Sequence, residues 1–167
     1  MKKHILIPAM LAMALMLSAD SVVTAPLRQH TAATTLDTPQ WTDLCDDAVA
    51  TVYNAVPEQC NADVLHTASM YRLNPDDVAS QRVLAMERTM MQEYGIAYGD
   101  IVRVSGAGDL DGLWRVEDTM NRRYRGQHKI DFLVPATRKT GKWNGVTVSV
   151  PANNPSRHMA RRMLASL

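Results

Sequence analysis

The chain has 167 residues, of which 46% are hydrophobic and 21% charged, with 18 Lys and Arg against 17 Asp and Glu. This length is sufficient for one domain with a substantial core. The nearly balanced charge argues against a protein that binds nucleic acid, which would need a basic stripe, so no nucleic-acid partner is expected.

The N-terminal segment, residues 1–25, has the three-part pattern of a secretory signal peptide. Lys2 and Lys3 precede an apolar run, residues 5–17, which is too short to span a bilayer, and small residues between positions 18 and 25 form the cleavage zone. A cut after residue 19 or residue 25 leaves a net charge between minus one and zero, because both lysines and, in the second case, Asp20 are lost. No cysteine lies in this zone, so we expect a secreted or periplasmic protein without a stable membrane anchor after cleavage.

Residues 26–45 are rich in Thr and Ala and have no apolar period, which is typical of a linker. The β-branched and aromatic run at residues 46–56 predicts the first strand, and a polar, irregular segment follows it. Residues 87–94 predict a short helix that ends at Gly95, a residue suited to the left-handed cap position. Five further strands are predicted at residues 82–86, 101–105, 113–117, 130–134 and 146–150.

The glycine-rich stretch at residues 106–112 lies between two predicted strands. It is therefore interpreted as a hairpin connection and not as a phosphate-binding loop, which would have to open a helix. Residues 138–145 predict a long turn with Trp143 at the surface, and the tail, residues 153–167, has the pattern of a short basic helix. Six short strands and one small helix predict a mainly β protein, a barrel over residues 46–152.

Cys45 and Cys60 are the two cysteines of the chain. An even number in an exported protein predicts a disulfide, which would stabilise the fold by roughly 3 kcal/mol for a loop of about 15 residues. The alternative is two buried or free thiols. Neither cysteine has the companion pattern of Cys and His that is typical of zinc sites, so no metal and no cofactor is expected.

Asp118 and Asp131 each interrupt or end an apolar alternation, where a charged side chain is costly unless it is paired or used. We expect the two carboxylates to meet, and such a pair suits acid/base chemistry on a glycosidic bond. The alternative is that Asp118 caps a loop and Asp131 accepts hydrogen bonds from backbone amides. His128 has an odd offset from Asp131 along the strand, so we expect it on the opposite face and not as a metal ligand.

Several short segments of the chain occur in the order in which a known family carries them. As a set they resemble the three-aspartate (3D) domain, a six-stranded double-psi β-barrel shared in outline by membrane-bound lytic transglycosylase A, rare lipoprotein A and the expansins. The resemblance covers roughly residues 49–150. The matching segments are Thr67-Ala68, residues 83–87, Tyr98-Gly99-Asp100, residues 116–119, Gly126 and residues 129–132.

Three positions depart from the family pattern. Glu87 stands where the family usually has its third aspartate, Asp118-Thr119 is followed by Met120-Asn121 instead of glycine, and Thr67-Ala68 is followed by Ser69-Met70. The loop between the two aspartates is also longer and contains three arginines. These departures indicate a distinct subfamily.

The resemblance implies a cell-wall-active protein whose partner is peptidoglycan or another wall glycan, and we expect a monomer. In the lytic transglycosylases the final-strand aspartate, here Asp131, is the single acid/base. Asp118 would raise the pKa of Asp131 or hold the sugar, and Thr67 would bond Asp131 or the substrate. Candidates for contact with sugar rings are Tyr53, Trp114, Asn121 and Tyr124, with Trp143 as a further aromatic, and core packing is the alternative for the aromatic residues.

Two other functions remain open. Expansins keep the aspartate pair and the threonine without hydrolysis, so a non-catalytic module that binds wall glycan, like an expansin or rare lipoprotein A, is the alternative. The altered motif at Asp118 is also compatible with a secreted interaction or inhibitor protein that uses the barrel only as a scaffold.

Overall fold

The computed structural model describes residues 39–60 and 63–157. The predicted signal peptide, most of the predicted linker and the last ten residues of the tail lie outside the described residues. In the two described ranges, no helix is both long and apolar enough to cross a membrane.

Six strands close into a mixed barrel with the order β1-β5-β2-β4-β3-β6. The pairs β1·β5 and β2·β4 are parallel, and the remaining neighbours are antiparallel. The α-helix α1 spans Arg88–Tyr94. The predicted mainly β fold with a six-stranded barrel is confirmed. The strands are β1 (Trp41–Tyr53), β2 (Val83–Met86), β3 (Ile101–Ser105), β4 (Gly112–Thr119), β5 (Lys129–Leu133) and β6 (Lys142–Pro151).

The barrel consists of two interlocked halves, β1–β3 and β4–β6. Exchanging β1 with β4, β2 with β5 and β3 with β6 leaves the set of hydrogen-bonded pairs and their directions unchanged. Within the described residues, every strand of the first half pairs with strands of the second half and not with its own. This interlocked order with two parallel pairs is a double-psi topology.

The starts of β1 and β6 differ most from the prediction. β1 begins at Trp41 and so includes the end of the predicted linker, because Trp41 and Thr42 pair with Pro151 and Val150 of β6. β6 begins at Lys142, which places Trp143 in a strand. The expectation of a surface turn there is wrong. The Trp143 ring lies against Phe132, with centroids 6.2 Å apart.

The interior of the barrel is filled by alternate apolar residues of each strand, and all four residues of β2 are buried. Such burial excludes water from the strand ladder and provides most of the stability. α1 adds Met90 and Met91 to the same core. The helix has the predicted C-cap at Gly95, whose φ is 65°. Glu87 is its N-cap and accepts a hydrogen bond from the Met90 backbone N–H at 3.0 Å.

Glu87 therefore has a structural role. Glu87 is 2% exposed. Its carboxylate accepts a hydrogen bond from a backbone N–H of the first helical turn, which has no partner within the helix. The position at which the related family usually has its third aspartate is thus occupied by a helix cap that no ligand can reach. The glycine-rich stretch also has a structural role. It joins the antiparallel strands β3 and β4, as predicted, through a short turn at Gly108–Leu110.

Candidate active-site cleft

A cleft of about 1230 Å³ lies on the barrel and contains most of the predicted site residues. Its walls come from β1, β4 and β5, from the segment after β1, and from the loop between β4 and β5. Polar and charged side chains dominate this lining. A second, smaller pocket of about 280 Å³ is lined mainly by apolar residues around Pro75–Asp77.

The two predicted aspartates face this cleft from either side of β2. Ala85 is the pairing partner of Asp118 in the parallel pair β2·β4 and of Asp131 in the antiparallel pair β2·β5. Neighbouring strands are about 4.8 Å apart, so the two aspartate Cα atoms are separated by roughly 10 Å. The sequence predicted that the carboxylates meet. The structure brings them into one cleft, with a strand between them.

Asp131 is partly buried and accepts a hydrogen bond from a neighbouring strand. Thr51 of β1 donates a hydrogen bond from Oγ1 to Asp131 Oδ1 at 2.8 Å. Burial raises the pKa of Asp131 to about 6, against the opposing effects of the Thr51 hydrogen bond and the Lys129 charge. The Asp118 charge contributes the smallest of the raising effects. Asp131 Oδ2 has no hydrogen-bond partner among the described residues, so this oxygen is free to contact a ligand.

Asp118 is held by three donors. Its Oδ1 accepts hydrogen bonds from the backbone N–H groups of Ala68 at 3.1 Å and Thr119 at 2.8 Å. Its Oδ2 accepts one from the Tyr53 hydroxyl at 3.1 Å. Burial, followed by the Asp118 charge, raises the pKa of Tyr53 well above its usual value, so Tyr53 remains a neutral donor. Asp118 therefore caps a loop, which was one of the two roles considered from the sequence. Asp131 accepts its hydrogen bond from a side-chain hydroxyl and not from backbone amides.

Thr67 does not contact Asp131, and that part of the prediction is wrong. Its hydroxyl lies 2.9 Å from Ser69 Oγ, which in turn donates to Glu117 Oε2 at 2.6 Å. The hydroxyl partner of Asp131 is Thr51, a residue that sequence reasoning missed. Thr51 and Asp131 are register partners in β1·β5, and only this pairing between distant segments identifies the threonine. Thr67 still lines the cleft.

Trp114 is not a sugar-stacking residue. It is 2% exposed, its ring packs on Phe132 with centroids 4.5 Å apart, and its Nε1 donates to the Leu110 carbonyl at 2.7 Å. The guanidinium of Arg82 covers the ring at 3.9 Å from its centroid. Trp114 is therefore part of the core, and its prediction as a substrate-binding residue is wrong.

The other three predicted contact residues, Tyr53, Asn121 and Tyr124, line the cleft. Asn121 caps the turn Arg122–Tyr124 and accepts from the Arg123 backbone N–H at 3.0 Å. Two cations lie close to the ring of Tyr124, with Lys129 Nζ 4.2 Å from its centroid and the Arg123 guanidinium 4.8 Å away. This arrangement fixes an aromatic face at the edge of the cleft, although both cations compete for it.

Cationic side chains form a rim around the two aspartates. In residues 39–60 and 63–157, none of these cations is ion-paired with a carboxylate. Two of them come from the arginine-containing loop that departs from the family pattern. The rim places positive charge beside the carboxylates of the cleft, a local concentration that composition alone could not predict, because the chain is nearly neutral. The rim consists of Arg88, Arg122, Arg123, Lys129, Lys139 and Lys142.

The two cysteines are free thiols, so the predicted disulfide is wrong for this structure. Cys60 donates from Sγ to the Asn54 carbonyl at 3.4 Å, just beyond the end of β1. Cys45 lies near the start of the same strand, on the order of 25 Å away at about 3.3 Å per residue. A disulfide needs Cα atoms within about 7 Å. Burial, followed by the charge of Asp47, raises the pKa of the Cys45 thiol to about 11.

Comparison with known proteins gives no family for this chain. No protein-family model matches it, and no curated protein shows a significant match. Among solved structures it is similar to the crystal structure of the computationally designed protein msDPBB_sym2, with 14% identity, 62% of this chain and 99% of that chain covered, and a TM-score of 0.31. This similarity is too weak to bear on function, and the fold class follows from the strand order itself.

Proposed function

We propose that this protein is exported, binds a cell-wall glycan in the cleft, and cleaves the glycan by lytic transglycosylation. The observation that carries this proposal is Asp131, a partly buried carboxyl with a pKa of about 6 and one free oxygen in a large polar cleft. A carboxyl with that pKa is protonated often enough near neutral pH to act as a general acid, and its conjugate base can then accept a proton.

The proposed reaction needs one carboxyl. Protonated Asp131 donates its proton to the glycosidic oxygen as the bond from that oxygen to the anomeric carbon breaks. The resulting carboxylate then accepts the proton of the 6-hydroxyl of the same sugar, whose oxygen bonds to the anomeric carbon and closes the anhydro ring. No water is consumed, and Asp131 ends the cycle protonated.

The contacts of Asp118 favour this reaction over ordinary hydrolysis. A hydrolase needs a second carboxylate as nucleophile or as base for a water. Both oxygens of Asp118 are engaged by the donors on Tyr53, Ala68 and Thr119. Asp118 therefore acts by holding the 67–70 segment at the edge of the cleft, while Asp131 carries out the chemistry.

The lining of the cleft is suited to a glycan with acidic groups. Tyr124 presents an aromatic face to a sugar ring, and Asn121 supplies an amide for hydroxyl groups. The cationic rim would bind carboxylates, which peptidoglycan carries on its stem peptides. The volume is in the range that takes more than one sugar unit.

The alternative is a module that binds wall glycan without cutting it. One observation favours it: the position of the third family aspartate is a buried helix cap, Glu87, so the cleft retains two of the three family carboxyls. In that case the same rim and aromatic face would bind the glycan, and Asp131 would only contact sugar hydroxyls.

The test is mass spectrometry of the soluble products after the purified mature protein is incubated with peptidoglycan sacculi. Anhydro-muropeptides from the wild type, none from Asp131→Asn, and wild-type release from the exposed control Asp76→Asn would support the proposal. Products with ordinary reducing ends would show hydrolysis instead. No release, with the protein sedimenting with the sacculi, would favour the binding module, and neither release nor binding would contradict both.

A further inference from the structure

Three side chains with different metal-binding chemistry meet outside the cleft. One sulfur of Cys45, one carboxylate oxygen of Asp47 and one imidazole nitrogen of His128 lie within 4.8 Å of one another. None of these three residues belongs to the lining of the cleft. In the described part of the chain, this is the one group of three or more Cys, His, Asp and Glu side chains with such mutual distances.

The backbone holds these three residues together. Cys45 and Asp47 both belong to β1, at a point where its register with β6 shifts between Cys45 and Ala48. Such an irregularity re-aims side chains, and here the Cys45 sulfur and an Asp47 carboxylate oxygen lie within 4.8 Å of each other. His128 directly precedes β5, and its carbonyl accepts a hydrogen bond from the Val49 backbone N–H at 2.8 Å. The next residue, Lys129, is the pairing partner of Val49 at the beginning of the parallel ladder between β1 and β5. The cluster therefore lies where β1 meets the residue that leads into β5.

His128 has a partner on each ring nitrogen. Its Nδ1 is 2.8 Å from Asp47 Oδ1, and its Nε2 is 3.8 Å from Glu93 Oε2 and 3.4 Å from the Tyr94 hydroxyl of α1. Metal-binding histidines are commonly oriented in this way, with one nitrogen on the metal and the other on an oxygen. The sequence argument rejected His128 as a ligand because it compared the residue with Asp131, whereas its carboxylate partner is Asp47.

We propose that Cys45, Asp47 and His128 bind a divalent transition-metal ion, most simply Zn²⁺. Thiolate, imidazole and carboxylate are the three ligand types that zinc takes in proteins, and one of each is present. A water completes a tetrahedral shell, and Glu93 stays on the other ring nitrogen of His128. Around such a shell, neighbouring N, O and S ligands are separated by roughly 3.3 to 3.6 Å, so the ligand atoms need to approach one another by about 1.5 Å at most.

The metal would connect the first strand of the barrel to the strand that carries Asp131. Cys45 and Asp47 belong to β1, and His128 leads into β5. A bound ion would thus stabilise the parallel pair β1·β5 next to its first paired residues, Val49 and Lys129. The thiol gives its proton to solvent when the sulfur binds the ion, as in other zinc sites. This role does not depend on the proposed reaction in the cleft.

The test uses the purified, chelator-treated protein and Co²⁺ as a spectroscopic substitute for Zn²⁺. The expected result is one Co²⁺ per chain, with a sulfur-to-cobalt charge-transfer band and the d–d absorption of a tetrahedral site. Cys45→Ser should abolish the charge-transfer band, and Cys60→Ser should keep it. Calorimetric titration with Zn²⁺ should show affinity at least tenfold weaker for Asp47→Asn and His128→Gln than for the wild type.

A matched control is the second His–Asp pair of the barrel, in which His66 Nδ1 lies 2.6 Å from Asp63 Oδ2 and which belongs to no such three-ligand group. His66→Gln should bind Zn²⁺ like the wild type. A wild-type protein without the charge-transfer band overturns the proposal, and so does an unchanged band in Cys45→Ser. The wild-type spectrum needs no variant to fold, and a Zn²⁺-dependent rise in Tm that Cys45→Ser lacks gives a second readout.

Discussion

Thr51 donates a hydrogen bond to Asp131 at 2.8 Å from the position directly opposite it in the parallel pair β1·β5. This bond stabilises the ionised carboxylate, whereas burial disfavours it, and burial is the larger effect. The two residues are 80 positions apart in the chain. The protonation state of the proposed catalytic residue thus depends on how the first strand pairs with the fifth.

The first prediction concerns the pH dependence of activity. Replacing Thr51 by Val removes the donor, so the pKa of Asp131 rises further and the general acid stays protonated to higher pH. The alkaline limb of the profile of kcat/KM should move to higher pH. Thr147→Val, a partly buried threonine of β6, should leave the limb in place. An unmoved limb in Thr51→Val would show that Asp131 is not the group that titrates in the reaction.

The second prediction concerns stability. The pKa of Asp131 is raised from 3.8 to about 6 in the folded state, so the folded protein binds more protons than the unfolded chain between these values. Stability from this group is complete below pH 4 and is lost as the pH rises through 6. Two pKa units correspond to about 3 kcal/mol, so Asp131→Asn should raise the free energy of unfolding by roughly 2 kcal/mol at pH 7.

Urea unfolding at pH 4 and pH 7 measures this difference. The gain from Asp131→Asn should be near zero at pH 4, where the wild-type carboxyl carries its proton in the folded state. The exposed control Asp76→Asn should show no gain at either pH. A variant that is less stable than the wild type at pH 7 would mean that the ionised carboxylate is not under strain in the cleft.

The third prediction concerns the support of Asp118. Tyr53→Phe removes the hydroxyl that donates to Asp118 Oδ2 and leaves that oxygen with no protein donor. The expected loss is about 1–2 kcal/mol in the free energy of unfolding. Tyr98→Phe is the control, because Tyr98 is 42% exposed and its change should be near zero. Equal stabilities of the two variants would show that the bond contributes nothing.

The fourth prediction separates core from cleft aromatics. Tyr124→Ala should weaken binding to insoluble glycan severalfold with little change in stability, because the ring lies at the edge of the cleft. Trp114→Phe should lower the free energy of unfolding by about 2 kcal/mol and leave glycan binding unchanged, because it removes a buried hydrogen bond and part of a core ring. Sedimentation with sacculi and thermal unfolding of both variants make the comparison.

The fifth prediction concerns the cysteines. Because Cys45 and Cys60 lie at opposite ends of β1, a thiol reagent should find two free thiols per chain in unfolded protein that has never been reduced. A reducing agent should leave Tm unchanged. Finding no free thiol, together with a Tm that falls on reduction, would indicate a disulfide and a different path for the segment after β1.

Much of the barrel could be predicted from local patterns. The predicted third strand coincides with β3, and the helix with its cap at Gly95 is reproduced, because apolar alternation and a glycine cap are properties of a short stretch of chain. The ends of β1 and β6 were not predictable in this way. Trp41 and Trp143 are in strands because each has a partner strand that extends equally far.

The site shows the same division. Asp118 and Asp131 were found because a charge that breaks an apolar pattern is visible in the sequence. Thr51 was missed and Trp114 misplaced, because a local pattern does not say which residue lies opposite on another strand or which aromatic ring faces the core. Register and barrel closure decide both, and they depend on residues far apart in the chain.

The interlocked pairing of the two halves also determines when this chain can fold. β1 is made first, but its partners are β5 and β6, the last two strands of the barrel to leave the ribosome. Until then its backbone donors and acceptors are open to water or to another chain. Contacts over such long separations form slowly, so closure follows synthesis and does not accompany it. A chain interrupted before β5 would retain an unpaired first strand and would be prone to aggregate, and for this fold an incomplete product is therefore a target for chaperones and proteases.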